Sequence, residues 1–149
     1  MKSVFDPNAR GELIHRIGKL AASDKPLWGK MDVSQMVRHC VLWQQWVLEG
    51  KQLKRVLLGR LIGGMALKKE MGSEEMRKNN PSSLELIVTD SGIDLDRERE
   101  TLVGLVRGYG AYRYPAGGFI HPFFGKMSME EIGCFAYKHL DHHLRQFGK

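Results

Sequence analysis

The stretch DVSQMVRHCVLWQQWVLEG, residues 32–50, decides the fold class. Its apolar positions are Val33, Met36, Val37, Cys40, Trp43, Trp46 and Val47, a stripe at spacings of three and four. That period places one face of a helix against a core. Asp32 is a suitable N-cap, and Gln35 stands three residues on, in the capping-box position. Gly50 supplies a left-handed end. This helix is therefore specified at both ends and along one side.

The same reading extends outward. Asp6 and Pro7 open a helix over about 7–22, with Leu13, Ile14, Ile17, Leu20 and Ala21 at helical spacing. DKPLWGK breaks it. LKRVLLGRLIGGMALKK, residues 53–69, is expected to be helical with Gly63-Gly64 as a weak point. GSEEMRKNNPSS, residues 72–83, has the composition of a loop. LELIVT looks strand-like but lacks a partner, so it is expected to be loop or a marginal strand. A further helix is expected over 95–108, with Leu95, Leu102, Leu105 and Val106 inward. GAYRYPAGGFIHPFFGKM, residues 110–127, is a long Gly/Pro/aromatic loop. The last helix starts at a Ser128/Glu131 capping box and runs to Phe147 and Gly148.

An all-α chain with no convincing sheet follows, its helices burying their stripes against one another. The 149 residues suit a single domain over 1–149. A composition 42% apolar and 27% charged is that of a folded globular protein rather than a disordered one. Net charge is +6, but the basic residues are scattered, so nucleic acid is not an expected partner. Cys40 and Cys134 make neither a disulfide framework nor a CxxC pair, which fits a reduced, cytoplasmic setting. No signal-peptide core, membrane anchor or membrane span is read.

Three of the six histidines lie within five residues: His139, His142 and His143. His139 and His143 are four apart and share a helix face. Ala136, Phe135 and Ile132 precede His139 on that face, and Phe147 follows His143, so the pair lies in or beside the buried stripe. His39 lies on the stripe of its own helix, between Met36 and Trp43. Two facing helices can thus build a three-ligand cup, the minimum for a catalytic site with an open position. The plainer reading is that each is a core histidine satisfied by hydrogen bonds, or one that complements a helix C-terminus. His142 is turned about 100° from His143, a bystander facing out or a neighbour of the ligands. Cys40 reads as buried and inert, Asp141 as a solvated charge, and Trp43 as core or pocket wall. No carboxylate carries the local signature of a general base.

VSQMVRHCVLWQQW (33–46) followed by HPFFGKMSMEEIGCFAYKHLDHHLRQFG (121–148) resembles the DinB-like superfamily of YfiT-like metalloenzymes. The likeness is greatest to a branch of unknown function. The closing family pattern of His, a second His four on, and Gln three later matches His139, His143 and Gln146; the family's histidine on the second helix matches His39. The resemblance implies a four-helix bundle in up-down-down-up order, with long loops and a short extra helix allowed. It implies a divalent metal on His39, His139 and His143. Zinc or nickel is favoured and iron is compatible. It also implies a thiol-dependent transferase or a hydrolase acting on a small molecule, with a low-molecular-weight thiol as co-substrate in the first case. A non-catalytic metal- or ligand-binding stress-response module of the same fold is the alternative, and a homodimer is compatible with either. Gln146 is the natural partner for His143. HPFFG departs from the thiol-transferase pattern; its His121 either lines the pocket or caps the loop by hydrogen bonding, and the second is favoured.

Overall fold

The computed structural model describes residues 1–50, 53–73, 75–78, 80 and 83–149. Among them the chain is mostly helical, with five helices: α1 (Pro7–Ile17), α2 (Val33–Glu49), α3 (Leu57–Gly72), α4 (Leu95–Gly108) and α5 (Met129–Gln146). Single 3-10 turns occupy Leu84–Leu86 and Tyr109–Ala111.

The expected caps are in place. Asp6 accepts from the backbone of Asn8 and Ala9, with Pro7 in the first turn. Asp32/Gln35 and Ser128/Glu131 form reciprocal capping boxes. Gly50 ends α2 at φ 63°. Asp94 also caps α4, accepting from Arg97 N.

Contacts run from α1 to α4, from α4 to α2, from α2 to α5 and from α5 back to α1. They enclose a core that includes Leu13, Ile17, Met36, Val37, Val47, Leu102, Val106, Ile132, Leu140 and Leu144. The middle of α5 is buried nearly all round, from Ile132 to Leu140. That is why imidazoles at 139, 142 and 143 are inside rather than at a surface.

Three expectations are corrected. α1 stops at Ile17 and passes into a turn at Gly18 and Lys19; Leu20 still reaches the core from there. α3 starts later than expected and runs unbroken through Gly63-Gly64. Residues 84–89 form one 3-10 turn and irregular chain, the loop alternative for that segment. The loop expected over 110–127 contains an antiparallel hairpin, β1 (Phe119–His121) and β2 (Gly125–Met127), with Phe119 opposite Met127 and His121 opposite Gly125. The two strands satisfy each other, so an all-helical reading misses this small sheet. Its turn is tied by His121, whose Nδ1 accepts from Phe123 N and Phe124 N, both at 3.2 Å. The loop expected over 72–83 includes residues 74, 79, 81 and 82, which lie outside the described residues; so does Lys51 of the scattered basic set.

The hairpin turn rests on α3 at Gly59 and Gly63, where a Cβ would collide with the Phe123 carbonyl. The glycine pair that looked like a weak point is in part a seat for backbone. Gly64, by contrast, faces open space.

Candidate metal centre

α2 and α5 pack face to face, and their stripes bring His39, His139 and His143 into one buried group. The relative exposures are 3%, 7% and 8%. One ring nitrogen of each lies within 4.8 Å of those of the other two. His39 Nε2 and His139 Nε2 are 3.1 Å apart. A tetrahedral ion with bonds of about 2.0–2.1 Å has ligand edges of about 3.3 Å. That edge of the cup is therefore close to a bound geometry, and an ion would draw the third nitrogen inward.

The tautomers support the same use. His39 Nδ1 is 2.8 Å from the carbonyl of Leu86, which can only accept, so Nδ1 carries the proton and Nε2 keeps its lone pair. Gln146 Nε2 donates to the carbonyl of Trp28 at 2.7 Å, which turns its Oε1 toward His143. His143 Nδ1 donates to that oxygen at 2.9 Å and leaves its own Nε2 bare. Such partners on the far nitrogen are what orient metal-binding histidines. His139 Nδ1 is buried without a partner. If that nitrogen carries the proton, two lone pairs face each other at the His39–His139 contact, an arrangement a cation stabilises. The donor set fits a divalent ion.

Electrostatics keep the rings neutral. Burial lowers the pKa of His39, against a smaller upward pull from its bond to Leu86. Burial, followed by repulsion from His143 and His39, holds His139 well below the ordinary value. Burial and then His39 bring His143 down to about 3. Neutral imidazoles are the ligating form.

The remaining candidates fall around this group. Trp43 is buried and stacks on His139, with centroids 4.8 Å apart and planes at 26°. Gln146 holds His143, as above. His142 is not an outward bystander: it is 8% exposed, 5.2 Å from the His143 ring and edge-on to Trp28 at 5.5 Å. His121 ties the hairpin turn and packs on Phe124 and Phe135. Burial and the nearby Arg55 push its pKa down to about 4. Cys40 is buried against Met36, and burial raises its thiol pKa, as for an inert cysteine. Asp141 is not simply solvated: it pairs with Arg16 at 2.7 Å and with Arg145 at 2.9 Å, linking α1 to α5.

Sequence reasoning missed Leu86 and Trp28. Both act through backbone carbonyls, which have no residue signature. Trp28 in the DKPLWGK segment was the one available hint that this loop packs inward. Leu27 N also donates to Gln146 O at 2.8 Å, so the loop clamps the end of α5 twice.

Among the described residues no helix is long and apolar enough to cross a membrane. No curated protein and no solved structure matches the chain. One family model does, over residues 4–149, and the chain belongs to that family, described as a protein of unknown function (DUF1569).

Proposed function

We propose that this chain is a DinB-like metalloprotein. It is a single-domain four-helix bundle in up-down-down-up order that holds one divalent ion on the Nε2 atoms of His39, His139 and His143. The ring of contacts through α1, α4, α2 and α5 supports the bundle. The observation that carries the site is the 3.1 Å approach of two Nε2 atoms in a buried group of three histidines. An all-imidazole set suits zinc or nickel, with iron compatible.

The reaction is a thiol-dependent transfer or a hydrolysis on a small molecule in the cytoplasm. A divalent ion held by three ligands supplies Lewis acidity at an open position, lowering the pKa of a water or a thiol there. The chain's own residues do the rest. Leu86 and Gln146 fix two imidazoles. Trp43 backs the third and excludes water. Trp28 Nε1 is a buried polar atom without a partner, on a ring that packs edge-on against His142, the neighbour of His143, and it is available to orient a substrate.

The test is the metal content of protein purified without a polyhistidine tag, beside a His39→Ala/His143→Ala variant. About one ion per chain in the parent, lost in the variant, is expected. The loaded protein then enters thiol-transfer and ester or amide hydrolysis screens. No metal in either protein after loading with zinc, nickel or iron overturns the site. The alternative is a non-catalytic metal- or ligand-binding stress-response module of the same fold, built on the same three histidines. It predicts bound metal without turnover in either screen.

A further inference from the structure

α3 is apolar on two opposite sides. Gly59, Gly63 and Leu67 form the buried side, against the hairpin and core. At 100° per residue, Leu57, Leu58, Leu61, Ile62 and Met65 occupy the opposite arc. They are exposed: Leu57 and Leu61 at 76% each, Met65 at 69%. A helix that is apolar all round is ordinarily covered all round. Contiguous exposed apolar surface of this kind marks an interaction site.

The charges on the same element say what covers it. From residue 53 to residue 69 there is no acidic residue, and Lys54, Arg60, Lys68 and Lys69 are exposed. Among the described residues none of these four forms an ion pair. Glu70, the first acid after them, is turned inward to Lys138 at 3.3 Å. Lys54 lies before the apolar arc and Lys68 and Lys69 after it. A second copy laid face to face would bring cation against cation in either direction. Parallel, Lys68 and Lys69 meet their own copies; antiparallel, they meet Lys54. An anionic, partly apolar surface complements both features.

We propose that the outer face of α3 docks on a lipid surface bearing anionic headgroups. The helix lies in the interface rather than crossing it. Leu57, Leu61 and Met65 enter the boundary between headgroups and acyl chains. The lysines reach outward along their own stems to the anionic groups. At 1.5 Å per residue the helix offers a strip about 24 Å long. The inference does not depend on the histidine cup.

The full chain is sedimented with vesicles of phosphatidylcholine mixed with phosphatidylserine, and with vesicles of phosphatidylcholine alone. Binding to the mixed vesicles is expected, weakening as salt rises. A Leu61→Glu/Met65→Glu variant should lose about tenfold or more of that binding. Lys68→Ala/Lys69→Ala should bind less and show a shallower salt dependence. Because these residues are exposed, unfolding midpoint and metal content should stay those of the parent; this separates failure here from failure of the metal site. No binding to mixed vesicles at low salt overturns the proposal. So does equal binding to both vesicle types, or a Leu61→Glu/Met65→Glu variant that binds like the parent. A dimer in solution that dissociates in that variant assigns the face to a second copy and overturns it as well.

Discussion

His143 shows how much one side chain depends on atoms far away in sequence. Its orientation is set by Gln146, one turn on, and Gln146 is set in turn by the carbonyl of Trp28. Gly29 follows Trp28 at φ 82°, and a Cβ there would stand 2.6 Å from Gln146 Nε2. Gln146→Ala and Gly29→Ala should therefore damage the same thing by different routes. Loss of a partner behind a metal-binding histidine typically costs about 10–100-fold in metal affinity. Competitive titration with a chelator should show a loss of that order for Gln146→Ala, and a smaller one for Gly29→Ala, with global stability little changed for the first. If Gln146→Ala holds its metal as tightly as the parent, the hydrogen bond does not position His143. At this scale the sequence is informative about residue type and spacing. It is silent about Leu86, whose carbonyl fixes His39 whatever its side chain is.

At the scale of elements, α3 and the hairpin are understood together. Gly59 and Gly63 stand one turn apart on the side that meets Phe123, while Gly64 faces solvent. Glycine in a helix costs about 0.5–1 kcal/mol relative to alanine unless a neighbour needs the space. Gly64→Ala should accordingly stabilise the protein by up to about 1 kcal/mol. Gly63→Ala should destabilise it by about 1–3 kcal/mol, since the added carbon meets backbone that must move. Paired urea unfolding curves check this, and the same sign for both variants would remove the role given to Gly63. The helix caps were legible because a cap is a local matter, decided by residues three or four apart. The hairpin was not, because three-residue strands are too short for an alternation to show. Their register comes instead from Gly125 and from His121 holding the turn.

For the whole molecule, the burial of imidazoles dictates a pH dependence. His39, His139, His142 and His143 all have pKa values lowered first by burial, as does His121. A folded pKa below the unfolded value of about 6.5 means that the unfolded chain binds more protons in that interval. Stability is then fully present above about pH 6.5 and falls as pH drops toward about 4 for His121 and about 3 for His143. Each histidine adds at most about 1.4 kcal/mol per pH unit to that slope. Denaturant midpoints of the metal-free protein should decline from neutral pH to pH values near 5; a flat or rising profile would contradict the neutral, buried state of the group. Loading with zinc at neutral pH should raise the midpoint by mass action. The sequence by itself determined the main helices, most of their caps, their inward faces and the placing of His39, His139 and His143 on those faces. All of these follow from periods and spacings within a few residues of chain. Only the tertiary structure decided that the three rings meet, which nitrogen of two of them carries the proton, that His142 is buried, and that one side of α3 is left open. Those outcomes depend on contacts across tens of residues, such as Leu86 with His39 and Trp28 with Gln146, where the deciding atoms belong to the backbone and no pattern of side chains announces them.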